Sequence, residues 1–357
     1  MYGLSALANS FDAVRLFAAL LVVYGHAYPL TAAGSPAFGG NSVQAIGVKV
    51  FFVISGYLIM GSWQRDPNVF RFAKRRLLRI LPGLAVVVAL SALVLGPAVS
   101  SLPFGEYLKN SRTLHYFSNV IMRPQYDLPG VFATVPYPHA VNGSLWSLPA
   151  EIAMYIIGPL AWWIGAAALK SARAGVALAL VSIVVASLYV VRLAPAPVPW
   201  VIYGSSVSSF LDVAPYFLLG AAYALWRLDQ RLNSYLAGAG WILFSLVQLP
   251  PLMNELALYI LLPYTVLAFG LQASTAGTFL SKRGDISYGV YLYGFPIQQL
   301  GALLFEGARV NAWFNFAVTL LPLLFVASVS WRCIERPALR WKPTRSAGLK
   351  NLSVNES

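Results

Sequence analysis

The sequence predicts an all-α, polytopic membrane protein with about ten transmembrane helices and both termini on the cytoplasmic side. Three observations lead there. Of 357 residues, 58% are hydrophobic and only 10% charged. Soluble domains carry roughly a quarter charged residues, so this chain lacks the polar surface to cover a globule. Apolar runs of about 20 residues, the length that crosses a bilayer as a helix, recur from end to end. The runs are continuous, whereas a transmembrane barrel would show alternating segments of about ten residues.

The first run, FDAVRLFAALLVVYGHAYPL at 11–30, resembles a signal peptide in position only. No basic segment precedes it and no small-residue cleavage site follows, so it is expected to stay in the mature chain. Further spans are placed near 43–62, 80–101, 143–168, 175–191, 209–226, 233–250, 254–273, 286–305 and 314–331. With the N-terminus inside, eighteen basic residues fall on inner segments. Six lie between the second and third spans, two in each of the next three inner connections, and six in the tail. Only Lys109, Arg112, Arg123, Arg192 and Arg309 fall outside. This is the positive-inside pattern. It absorbs most of the net charge of +13, so membrane lipids rather than nucleic acid are the expected partners of these cations.

The longest connection, roughly 102–142, lies outside and is rich in aromatics and proline. It is too long for a simple hairpin link. No internal repeat is visible, and no pair of spans shows the matched interruptions of inverted-repeat transporters. The expected organisation is one transmembrane domain over 1–345 and a short polar tail over 346–357. Cys333 is the only cysteine, so neither a disulfide framework nor a cysteine metal site is available, and no metal is expected.

Arg15 and His26 sit eleven residues apart in the first span. Eleven helical steps make about 1,100°, three turns plus about 20°, so both lie on one face about 16 Å apart along the axis. Asp12 is placed to pair with Arg15 at i,i+3. Two readings stay open. In one, Arg15 snorkels to the interface and His26 bonds a neighbouring helix. In the other, the pair marks a polar track through the membrane, because ionisable groups inside spans are site candidates by default.

Several motifs then appear in order. An R-x10-H pair is followed by VKVFFVISGYLIM, by RFAKRRLLRILPG with Arg76 and Arg79, and by NGSLWSLPAEIAMY with Glu151. ISYGVYLYGFPI and SWRCIERP complete the set. Together they resemble the acyltransferase-3 family of integral membrane acyltransferases across nearly the whole chain. The resemblance implies an enzyme that moves an acyl group, usually acetyl, from cytoplasmic acyl-CoA to a glycan or another acceptor, often across the membrane. It points to an O-acetyltransferase of the bacterial inner membrane, acting on an exported polysaccharide or a lipid-linked saccharide. One departure stands out: many members carry a histidine where this chain has Gly294.

The residues make chemical sense of that implication. Arginine forks suit the phosphates of acetyl-CoA, so Arg76, Arg79 and Arg15 are the expected donor contacts. A topogenic loop touching lipid headgroups is the competing account of Arg71–Arg79. His26 has the intrinsic pKa to accept a proton from an acceptor hydroxyl as general base, or to form an acyl-histidine as nucleophile. Glu151 is expected to orient His26 or touch the acceptor, or else to pair with Lys49 or Arg15. Glu335 is expected to pair with Arg332 or Arg336. Asn142 of NGS matches a glycosylation acceptor but lies too near the membrane edge to carry weight. A polytopic transporter or flippase for a glycan or another anionic substrate is the rival reading, and acyl-CoA turnover separates the two.

Overall fold

The computed structural model describes residues 9–194, 198–305 and 311–343. The polar tail at 346–357 and the basic residues Arg309, Arg345 and Lys350 lie outside these described residues. Within them the chain is an all-α polytopic membrane protein. Its principal helices are α1 (Phe11–Ala27), α2 (Val43–Arg65), α3 (Val69–Leu90), α4 (Ser147–Ala168), α5 (Ala172–Ser187) and α6 (Val207–Trp226). They continue with α7 (Ser234–Leu246), α8 (Pro251–Leu271), α9 (Thr275–Arg283), α10 (Ser287–Leu304) and α11 (Ala312–Ser330). Among the described residues eight helical runs are long and apolar enough to cross a membrane. The other two expected spans are the 13-residue α7 and the more polar α10, with Gln298 and Gln299 at its centre.

Side-chain caps mark several helix starts. Asn68 accepts from Arg71 N, Ser171 from Ala174 N, Asn233 from Tyr235 N, and Asn311 from Phe314 N. Each satisfies an amide that the first turn leaves unpaired. Two small antiparallel hairpins, Ala37–Phe38 with Asn41–Ser42 and Val201–Ile202 with Ser205–Ser206, lead directly into α2 and α6. The first turns through Gly39 and Gly40 at φ 58° and 76°, where a side chain would be strained.

Helices α2 and α6 form the central pair of the bundle. Gly56 and Gly220 make their close crossing possible. A Cβ on Gly56 would lie 1.9 Å from the Phe217 carbonyl oxygen, and one on Gly220 would lie 2.1 Å from that of Val53. Membrane helices associate through such small residues because lipid supplies no hydrophobic drive. Helix α1 runs antiparallel to α2, with Gly47 against Ala18 and Val22, and its other side meets α10.

Two expectations need correction. Residues 71–79 are not a loop: α2 stops at Arg65, and the next helical run extends from Val69 to Val99, 31 residues. At 1.5 Å per residue that is about 46 Å, longer than a hydrocarbon core of about 30 Å, so the basic first turns project beyond the apolar zone. The 102–142 connection is likewise folded. It contains helical turns at Phe104–Lys109 and Ser111–Tyr116, with Tyr107 and Tyr116 fully buried. The Tyr107 hydroxyl donates to the Ala92 carbonyl at 2.7 Å, tying this cap to the end of α3.

Candidate functional site

Four of the five predicted site residues line one narrow cavity. Arg15 comes from α1, Arg76 and Arg79 from α3, and Glu151 from α4; Ser55, Ser147, Tyr155, Ser287, Tyr288 and Tyr291 complete its polar lining. The helical spacing explains the convergence, since Arg76 and Arg79 are three residues apart and share a face. Arg71 and Arg75 turn away from the cavity. Both bond Asp66, in the short link between α2 and α3, at 2.5–3.0 Å. Hydrogen bonds from Arg71 and Arg75 hold the Asp66 carboxyl well below the usual carboxylate range. Arg71 spends its fork there, Arg75 only Nη1, and neither lines the cavity, so the donor candidates narrow to the inward pair.

Arg15 pairs with Asp12 at 3.2 Å, as the spacing predicted, and also with Asp285 at 3.3 Å. Arg79 reaches the same Asp285 at 2.5 Å and lies 5.8 Å from the Tyr288 ring centre. Asp285 is 8% exposed and sits two residues before α10. Burial raises its pKa, but Arg79 and Arg15 outweigh burial and hold it at about 2. Beyond the last helical turn, Lys342 is pushed down to about 8 by partial burial and by repulsion from Arg79, Arg76 and Arg15. Arg76 forms no ion pair among the described residues, and its Nε is buried without a partner.

Glu151 does not orient His26. It accepts from Ser55 at 3.1 Å and, through a very short bond, from Tyr155 one turn along its own helix. Nor does it pair with Lys49. That lysine, 0% exposed, bonds Asn41, Asp212 and Glu255 in a separate cluster at the other end of the bundle. Arg192 joins the cluster through Glu255. One more expectation, and one loose motif match, fail on local geometry. Glu335 is buried and takes its hydrogen bond from Ser330 at 3.0 Å rather than from Arg332 or Arg336. Asn142 is 1% exposed and spends its amide on the Leu292 carbonyl and Ser144 N, which leaves no accessible acceptor nitrogen.

His26 stands apart from the cavity lining. Its ring meets Phe295 edge-on at 5.3 Å, and Nδ1 is buried without a hydrogen-bond partner. Phe295 also faces Tyr137 at 6.1 Å and packs on Gly143. Tyr137 and Gly143 line an outer groove together with Tyr126, Asp127, His139 and Trp146. Phe295 thus links the histidine to that groove. The Gly143–Trp146 turn lies between groove and cavity: Gly143 and Trp146 line the groove, while the adjoining Ser147, bonded to Tyr291 at 2.5 Å, lines the cavity. Gly294 has a steric reason of its own: a Cβ there would lie 2.7 Å from Val23 Cγ2 on α1. Next to it, Gln298 donates to the Val23 carbonyl at 2.9 Å and ties α10 to α1.

Asp285, Ser55 and Tyr155 were missed from sequence. The one available signal was Asp285 itself, an acid placed where a helix start is capped.

Comparison with known proteins finds relatives along nearly the whole chain. An O-acetyl transferase of Shigella phage Sf6 is 28% identical over 340 residues, covering 92% of this chain and 95% of the relative. Nodulation protein 10 of Rhizobium leguminosarum bv. viciae is 29% identical over 379 residues, covering 97% and 96%. The peptidoglycan O-acetyltransferase OatA of Listeria monocytogenes is 26% identical over 367 residues, and 55% of its own length is matched. No solved structure matches this chain. The acyltransferase domain defining the family matches residues 8–332, almost the whole of the described bundle, and the chain belongs to the acyltransferase-3 family of membrane acyltransferases.

Proposed function

We propose that this multi-pass membrane acyltransferase moves acetyl from cytoplasmic acetyl-CoA to a hydroxyl of an exported polysaccharide or lipid-linked glycan. Its membrane is the bacterial inner membrane, with both termini cytoplasmic. The observation that carries the reading is the cavity where Arg15, Arg76 and Arg79 converge from two helices at the basic end of the bundle. Arginine forks match phosphate oxygens in pairs, which suits the nucleotide end of the donor. The pantetheine arm then runs along α1 toward His26, about 16 Å farther on by helical rise. The outer groove, with Tyr126, Tyr137 and Trp146, offers aromatic faces for a sugar and Asp127 for its hydroxyls. His26, with Nδ1 free of protein partners, takes the acceptor proton or the acyl group.

The test is acetyl transfer in sealed vesicles of known sidedness, with acetyl-CoA supplied to one face at a time. Transfer is expected only when the donor meets the face bearing Arg76 and Arg79. His26→Ala is expected to lose about 10²–10⁴-fold in transfer at matched membrane abundance while still binding donor. Wild-type rates in that variant would return His26 to a packing role, and transfer from the opposite face would reverse the assigned orientation.

A further inference from the structure

We propose that Asp285 is a positioning residue for the acyl donor, tying Arg15 and Arg79 into one two-armed anion site at the inner end of the cavity. The inference rests on the donor reading above. It is carried by how the carboxylate is used. Oδ2 takes Nη1 of Arg15 at 3.3 Å and Nη2 of Arg79 at 2.5 Å. Oδ1 is held by the amide of Ser287 at 3.2 Å and, more closely, by the Ser287 hydroxyl. The anion is thus fixed at the head of α10, where the helix dipole favours negative charge. Helix α10 packs against both α1 and α3, so Asp285 sits at the junction of the two helices whose arginines it joins.

Asp66 supplies the contrast. It grips Arg71 through both Nε and Nη2, at 3.0 and 2.5 Å, and so uses up that fork. Asp285 takes a single nitrogen from each arginine. A guanidinium has five N–H donors, so each retains an edge for the cavity it lines. Without the carboxylate, two like charges would face one another and two long side chains would lose their common anchor. Preorganisation of this kind improves binding by removing an ordering cost that the ligand would otherwise meet.

The experiment compares acetyl-CoA with S-acetyl-pantetheine, which keeps the thioester and arm but lacks the nucleotide phosphates. Asp285→Asn is expected to raise KM for acetyl-CoA about tenfold, with kcat close to wild type and KM for S-acetyl-pantetheine unchanged. Asp285→Glu should recover part of the loss. If the asparagine variant fails to insert, Ser287→Ala decides: it removes one anchor of the same carboxylate and should raise the acetyl-CoA KM about two- to threefold. An unchanged acetyl-CoA KM overturns the proposal. So does a lowered one, which would make Asp285 a competitor of the donor. A wild-type protein that does not distinguish the two donors overturns the donor reading and this inference with it. Discrimination retained equally in wild type and variant overturns this inference alone.

Discussion

Two clusters of buried charge lie at opposite ends of the bundle, and they are built differently. At one end Lys49 contacts Asp212, Glu255 and Asn41, and lies 5.0 Å from the Tyr216 ring centre. Glu255 also receives Tyr216 and Arg192. Two cations meet two carboxylates, and each cation is held by an ion pair within the cluster. At the other end Arg15, Arg76 and Arg79 share a cavity whose lining offers one carboxylate, Glu151, itself engaged by the neutral Ser55 and Tyr155. Buried charge alone is a poor guide to function, because both ends have it. Unspent donors facing open space are what separate a binding site from a structural pin.

The largest effect expected on this contrast comes from breaking the pin. Removing Lys49 takes the cation from half-buried Asp212 and leaves buried Glu255 with Arg192 alone. Breaking one side of a buried pair costs about 3–5 kcal/mol. Lys49→Ala is therefore expected to show that loss in denaturant unfolding of the purified protein, while the surviving folded fraction keeps its wild-type donor KM. A donor KM that moves with stability would show that the two clusters are coupled and that the contrast drawn here is false.

The next effect belongs to the cavity and has the opposite signature. Arg76 has no ion pair to lose, so Arg76→Ala is expected to cost no more than about 1 kcal/mol in unfolding, the centre of single-substitution effects and well below the loss from Lys49→Ala. Its loss should appear in the donor. A hydrogen bond to a charged group contributes about 1.5–3 kcal/mol, which corresponds to roughly a 10- to 100-fold rise in acetyl-CoA KM. Stability loss with an unchanged KM would make Arg76 part of the scaffold.

How much of this was legible in sequence follows from what each signal encodes. The helical class and most spans were readable because lipid demands long apolar runs. Arg15 and His26 were legible as a pair because eleven residues return to one helical face. The pairing of Lys49 with Asp212, Glu255 and Arg192 was not, since these partners lie up to 206 residues apart and meet only through tertiary packing. Charge also misled locally. Six basic residues near the inner face read as a loop, yet most of them ride on the first turns of α3. Glu151 was recognised by its motif and given the wrong partner, because depth in a helix says nothing about which neighbour it faces.

The smallest effect is a slope. Asp285 lies outside the membrane helices, and its carboxyl is held at about 2 because Arg79 and Arg15 outweigh the burial that would raise it. An ordinary aspartate titrates near about 3.9. With the folded pKa depressed, the unfolded chain binds a proton first, so this group's contribution is fully present above about pH 4 and is lost as pH falls toward about 2. Asp285→Asn cannot titrate there. Thermal unfolding of purified wild type from pH 6 down to pH 2.5 is therefore expected to show a midpoint that falls more steeply below about pH 4 than that of the asparagine variant. Asp66 titrates in both proteins and contributes the same background, since Arg71 and Arg75 hold it below the usual range as well. Parallel slopes would mean that the Arg15–Asp285–Arg79 contact adds nothing to the folded state, and the inner cluster would then have to be held together by helix packing alone.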